Sequence, residues 1–213
     1  MSLEIEKNFY KYNEKYIKKE LKNLNAQYKI NLLMTYKKKH NGLTVRVRDE
    51  GFRKTFTIKN KMNNNEYNKE YQVNVSDINE TLTMLKLLGL TDFAYQEKIR
   101  ETYFYKNSEI CFDYVPGQEN FLQIESKTQD ELYELCDKFF LDKNEKRPDF
   151  QDYFGIEKKD IKKKVKFKNL YKMMNEVTKN NEEYTKLLKK QLFMYKRYVL
   201  SLLNNKKNEL LQV

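Results

Sequence analysis

Charged side chains of one sign recur two residues apart in one extended stretch after another, and few folds can house that pattern. Alternate side chains of a strand point to opposite faces. Residues 3–9 therefore set Glu4, Glu6 and Asn8 on one face and Leu3, Ile5, Lys7 and Phe9 on the other. Residues 43–48 put Arg46 and Arg48 beside Thr44, and 55–61 put Lys59 and Lys61 beside two threonines. Glu70, Gln72 and Asn74 share a face in 69–75, and Lys98 and Arg100 share one in 94–105. Asp113 lies in 109–115, and Gln123 and Glu125 face together in 121–125. Like charges side by side repel unless an opposite charge is brought to them. A sheet with one wet face ordinarily mixes charged and neutral polar residues along each strand. Here acidic strands and basic strands need each other.

A sheet of about eight strands, mostly joined antiparallel, can close around a small ligand. The expected fold is α+β, an eight-stranded antiparallel closed β-barrel with the charged faces inward. Its apolar outside then needs helices. Residues 12–24 read as one, with Tyr16, Ile17, Leu21 and Leu24 on one side. Ser76 or Asp77 caps a second, striped with Ile78, Leu82, Leu85 and Leu88 and stopped by Gly89. Thr128 with Glu131 is a capping box opening a third, through Leu132, Leu135, Cys136 and Phe139. Residues 28–37 make a strand of irregular pattern, and 37–42 are expected to turn, with His40 a solvated turn residue. A lumen with a basic half and an acidic half asks for a polyanion together with a divalent cation. Carboxylate oxygens suit Mg²⁺ or Mn²⁺.

Composition removes several alternatives. One histidine excludes a histidine-based triad or a multi-histidine metal site within these 213 residues. Cys111 and Cys136 form no CxxC pair and no zinc pattern. No apolar run approaches membrane-spanning length, and no signal-peptide pattern precedes the first strand. A reduced cytoplasmic setting without membrane association is expected. The net charge of +11 resides in residues 158–213, which hold 16 Lys/Arg and 5 Asp/Glu, while 1–157 sum to zero.

At these residues the sequence resembles the CYTH superfamily, the triphosphate tunnel metalloenzymes. Glu4-Ile5-Glu6-Lys7-Asn8 is similar to the family's opening ExExK, Arg46-Val47-Arg48 to its RxR strand, and Ile58-Lys59 to the lysine strand that follows. Glu70 matches the acidic strand, Lys98-Ile99-Arg100 the KxR motif, Asp113 the lone aspartate and 121–125 the closing EIE-type strand. Residues 147–154 resemble the segment that ends the domain. Two positions depart from the pattern: Asn8 stands where a lysine is expected, and Gln123 where a glutamate is common.

The resemblance implies a tunnel domain over 1–157 and a basic helical extension over 158–213. It implies a metal-dependent hydrolase acting on a triphosphate, either inorganic or carried by a nucleoside or other organic group. Arg46, Arg48, Lys59, Lys61, Lys98 and Arg100 would grip the triphosphate. Glu4, Glu6, Asp113 and Glu125 would hold Mg²⁺ or Mn²⁺. Glu4, Glu6, Glu70 and Lys98 would serve the chemistry, Glu70 by orienting water. The alternatives within the family are a class IV adenylyl cyclase making cyclic AMP and pyrophosphate, an RNA 5′-triphosphatase, and a degenerate polyphosphate-binding protein without catalysis.

Residues 160–179 and 182–207 read as two helices outside the resemblance. The second carries Tyr184, Leu187, Leu188, Leu192, Tyr195, Val199, Leu202 and Leu203 at spacings of three and four. That stripe is expected to bury on the barrel or on a second copy, giving a monomer or a homodimer through these helices. The surrounding lysines are a solvated face or an electrostatic lure for a nucleic acid carrying a 5′-triphosphate.

Overall fold

A computed structural model describes residues 2–61, 67–116, 120–146 and 181–210. Among them are eight strands and four helices. The strands are β1 (Ser2–Phe9), β2 (Gln27–His40), β3 (Leu43–Asp49), β4 (Lys54–Lys61), β5 (Tyr67–Asn74), β6 (Ala94–Tyr105), β7 (Ser108–Tyr114) and β8 (Phe121–Ser126). The helices are α1 (Glu14–Asn23), α2 (Ile78–Leu87), α3 (Gln129–Lys138) and α4 (Asn181–Leu210). The chain divides into two compact units, Met1–Val115 with Asn120–Arg147, and Pro116–Glu119 with Pro148–Val213.

The first unit contains the whole antiparallel sheet, in the order β1-β5-β4-β3-β2-β6-β7-β8. β1 pairs on both sides, with Ser2 opposite Glu70 of β5 and Glu6 opposite Glu125 of β8. Alternation fixes which side chains enter the core. Val45 and Val47 are buried on one face of β3, where α2 brings Ile78 and Leu85 against them. Leu122 and Ile124 of β8 are buried, and α3 packs on that strand with Leu132, Leu135, Cys136 and Phe139 also buried. Ile17 and Leu21 of α1 are fully covered. The intervening strand positions carry the charged residues to the other face. The usual arrangement is inverted: the apolar face lies beneath helices and the polar face lines an interior cavity.

The caps fall where their chemistry puts them. Asn13, Asp77 and Thr128 each accept from the backbone N–H three residues on, at 3.0, 2.8 and 3.2 Å. Gly89 ends α2 at φ +83°, a conformation open to glycine without penalty. Between β2 and β3 the turn is only Asn41-Gly42, both with positive φ (48° and 76°), the pairing that suits a two-residue hairpin. The expected turn over 37–42 is thus mostly strand. β2 continues to His40, because its partners on β3 run on to Leu43 opposite His40.

A polar knot lies on the covered face. Lys18 of α1 pairs with Glu101 of β6 and with Glu14 at 2.9 Å, and its ammonium sits 4.7 Å from the Phe112 ring centroid. Tyr28 donates to Glu101 at 2.9 Å. Tyr114 is within 2.9 Å of both Glu14 and Glu101. Burial and the neighbouring carboxylates drive the Tyr114 and Tyr28 hydroxyls far above the ordinary phenol range, so both remain donors. This knot fastens α1 to the sheet.

In the second unit α4 confirms the sequence-read helix over 182–207 and extends it. Tyr184, Leu188, Leu192 and Tyr195 of its stripe are buried. The helix expected over 160–179 and the domain-ending segment 147–154 lie outside the described residues. Among the described residues no helix is long and apolar enough to cross a membrane.

Candidate functional site

All eight strands contribute to one cavity of about 1040 Å³. β3 sends Arg46 and Arg48 into it, β4 Lys59, and β5 Glu70 and Gln72. β6 adds Lys98 and Arg100, β7 Asp113, and β8 Gln123 and Glu125 opposite Glu6 and Asn8 of β1. The described residues therefore bring the candidates together on one wall, as strand parity requires. The side chains of Glu4 and Lys61 lie outside the described residues.

The cations are held by carboxylates. Glu70 spans two of them, reaching Arg46 at 2.8 Å and Lys59 at 2.7 Å. Lys59 lies 3.5 Å from Glu6 as well. Asp113 is completely buried and engages Lys98 at 2.6 Å, and Arg100 at 2.7 Å and 2.8 Å. That fork arises because Arg100 and Asp113 are register partners across β6 and β7. Arg100 also donates to Gln123, whose amide nitrogen donates to Glu6 at 3.3 Å. Glu125 is 3.8 Å from Arg100. Arg48 donates to Thr35 at 3.3 Å, with Glu50 at 3.8 Å.

Excess positive charge in a dry place has consequences for protonation. Burial lowers Lys98, and neighbouring Arg100 lowers it further; Asp113 recovers only part, leaving its pKa at about 7. Arg48 is brought down to about 9 by burial and then by Arg46 and Arg100. Burial alone would raise Asp113, but Arg100 and Lys98 overcome it and hold the carboxyl at about 2. Burial also works against the charge of Arg100, yet Asp113 raises it well above the usual arginine range.

Two buried polar atoms here have no hydrogen-bond partner among the described residues: Arg46 Nε, a donor, and Asn8 Oδ1, an acceptor. Buried groups of this kind carry a desolvation penalty until a partner arrives. The first asks for an anion and the second for a cation or a donor.

A divalent ion can be tested against this donor set. Glu6 and Glu125 are direct cross-strand partners, and Asn8 is two residues along on the same face. Two carboxylates and an amide oxygen, completed by water and phosphate oxygens, match how Mg²⁺ is usually held. Asp113 does not match, since both its oxygens are committed to Lys98 and Arg100. Among the described residues no group of three or more His, Cys, Asp or Glu side chains converges as a metal site. The donors here suit an ion shared with a ligand rather than one caged by protein alone.

Some lining residues escaped sequence reasoning. Lys29, Lys37 and Lys39 of β2 all line the cavity. Lys38 points the other way, toward the Thr91 carbonyl. The period of two from Lys29 through Asn31, Leu33, Thr35 and Lys37 to Lys39 was the available signal, obscured by a lysine run that fills both faces. Phe52, Glu50 and Arg53 come from the link between β3 and β4. Burial raises the Cys136 thiol to about 11, and the nearby charges of Lys143 and Lys7 only partly offset it.

Because burial and Arg100 bring Lys98 down to about 7, binding of a polyanion should take up a proton there. The affinity should be greatest below pH 7 and should fall as pH rises through 7, where the free side chain turns neutral. Calorimetric titration with inorganic triphosphate at pH 6 and pH 8 checks this. Lys98→Met supplies the slope due to the ligand's own ionisation, and equal slopes in the two proteins would refute it.

No curated protein sequence matches this chain. Among solved structures, PH1012 from Pyrococcus horikoshii OT3 is 23% identical over 66% of this chain and 92% of its own, with a TM-score of 0.59. A conserved Pyrococcus furiosus protein is 20% identical over 70% of this chain and 98% of its own, also at 0.59. A candidate adenylate cyclase from Vibrio parahaemolyticus is 15% identical over 73% and 99%, at 0.56. At these identities the likeness is one of fold. The CYTH domain profile matches residues 34–153, more than half of the sequence, and takes in the Arg46/Arg48, Lys59, Glu70, Lys98/Arg100, Asp113 and Glu125 positions, so the chain belongs to the CYTH domain family.

Proposed function

We propose that this protein is a divalent-metal-dependent triphosphatase, with the sheet wrapped as a tunnel around a triphosphate, inorganic or carried by an organic group. The observation that carries this reading is the pair of unpartnered buried atoms. Arg46 Nε lacks an acceptor on the basic wall, and Asn8 Oδ1 lacks a donor or cation beside Glu6 and Glu125. A polyanion with a divalent cation satisfies both at once.

Arg46, Arg48 and Arg100 bind non-bridging oxygens through planar forks, while Lys59 and Lys98 act as point charges. From the alternation of the sequence alone, Lys61 is assigned to the triphosphate and Glu4 to the metal. Glu6 and Glu125 hold Mg²⁺ or Mn²⁺, with Asn8 adjacent. A bound divalent ion neutralises charge on the phosphoryl oxygens and lowers the pKa of water. Phosphoryl transfer asks the protein mainly for positioning and charge neutralisation. Glu70 is placed to exchange one of its cations for a proton of the attacking water and so orient it. Lys98, near its pKa at neutrality, can hold a proton against the departing phosphate.

The test is a panel of inorganic triphosphate, ATP, GTP and thiamine triphosphate with Mg²⁺ or Mn²⁺. Orthophosphate release that stops on chelation is the expected result. Cyclic AMP with pyrophosphate would replace hydrolysis by cyclisation. Tight binding without turnover would leave a polyphosphate-binding protein.

A further inference from the structure

Phe52 is an apolar ring left half in water, at 50% exposure, beside a cavity built to hold charge. Inorganic phosphate oxygens have no use for such a ring. Its placement is nevertheless fixed by its neighbours. Gly51 N–H donates to Asp49 Oδ1 at 2.7 Å, and Glu50 N–H donates to the Arg53 carbonyl at 2.9 Å. The Arg53 guanidinium donates back to Glu50 at 3.0 Å, and Glu50 itself is buried. The link 50–53 is therefore tied on both sides of the ring. Lys29 then sets its ammonium 4.0 Å from the ring centroid. With Lys29 against the ring and half of the ring exposed, a flat group has apolar surface to stack on while the ammonium meets the negative charge it carries.

We propose that Phe52, backed by Lys29, is the stacking platform for the base of a nucleoside triphosphate whose phosphates lie along the cavity wall. This rests on the triphosphatase reading and adds the substrate's organic end to it. The register sets the spacing. Asn31 of β2 is paired with Arg100, and Lys29 is two residues further along the same face, roughly 7 Å at the rise of a strand. The platform thus begins about one pentose beyond the Arg100 fork. Its surroundings are mixed, as an edge-bearing base requires. Phe104, at 37% exposure, supplies a second ring, while Thr102, Glu109 and Arg53 supply donors and acceptors. Base-on-aromatic stacking tolerates any base, because each has a π face. The platform therefore selects for a nucleoside and only weakly among nucleosides.

Phe52→Ala, Phe52→Trp and the wild-type chain are titrated calorimetrically with ATP and with inorganic triphosphate, without added metal. The same ligands are then assayed for turnover with Mg²⁺. Phe52→Ala should weaken ATP about tenfold relative to inorganic triphosphate, the scale of one lost stack. In turnover the loss should appear in KM more than in kcat, and Phe52→Trp should retain the wild-type ratio. An unchanged ATP-to-triphosphate ratio in Phe52→Ala overturns the platform and leaves the triphosphatase standing. Wild-type protein that binds inorganic triphosphate but discriminates against ATP does the same. Wild-type protein that binds neither ligand removes the triphosphatase reading and this inference with it.

Discussion

Replacing Glu6 by alanine should lower triphosphate turnover at least about a hundredfold, the effect of losing several kcal/mol of transition-state stabilisation. Glu125→Ala should do the same, because the two carboxylates are direct partners across β1 and β8 and an ion between them needs both. Each variant should also require more Mg²⁺ or Mn²⁺ for half-maximal rate. Binding of inorganic triphosphate without metal should not weaken in either, since removing a carboxylate makes the cavity more positive. Steady-state rates across a metal titration, beside metal-free calorimetry, give both readouts. Near-normal turnover in both variants would end the assignment of these residues to the metal.

The second large effect concerns stability. Asp113→Asn should destabilise the fold by about 3–5 kcal/mol, because it strips the enclosed Lys98 of its counter-charge and leaves Arg100 only Glu125, at 3.8 Å. Denaturant unfolding measures this directly. The pH dependence follows from the depressed pKa. An aspartate whose folded pKa lies below its unfolded one stabilises fully above the unfolded value of 3.8. That contribution is lost as pH falls through the folded value of about 2. The wild-type chain should show this acid-labile increment and the variant should lack it. Triphosphate should raise the melting temperature of the variant more than that of the wild type, since a polyanion supplies the missing negative charge. A loss below about 1 kcal/mol, or an equal ligand response, would show that the pair is not held by Asp113.

The charged wall was legible because a strand's period of two is exact. Arg46, Arg48, Lys98 and Arg100 could be assigned to one face from their spacing alone, and the structure puts them there. What each would touch was not legible. The resemblance put Asp113 among the metal ligands; the register of β6 on β7 sets it opposite Arg100, and register is a long-range property. The extent of β2 was missed for a similar reason. Its lysine run has no amphipathic alternation; pairing with β6 ends at Lys37, and pairing with β3 alone carries it on to His40. Glu101 escaped notice on a face it shares with Tyr95, Ile99 and Tyr103, because its partner Lys18 comes from a helix more than eighty residues earlier. Phe52 belongs to a link whose conformation depends on Gly51 and on contacts made by Glu50, none of which periodicity encodes.

Glu70 holds Arg46 and Lys59 at once, so the cavity presents no bare cations there for a passing anion to collect. A ligand must exchange contacts with a carboxylate already in place. Chloride or a single phosphate brings too little valence at too few points to displace it. A chain of linked phosphates brings several oxygens at fixed intervals, and only together do they exceed what the glutamate offers. On the triphosphate reading the internal ion pairs act as a valence threshold: every anion that enters must offset the same displaced carboxylate, and only one with several linked charges has enough contacts to do so.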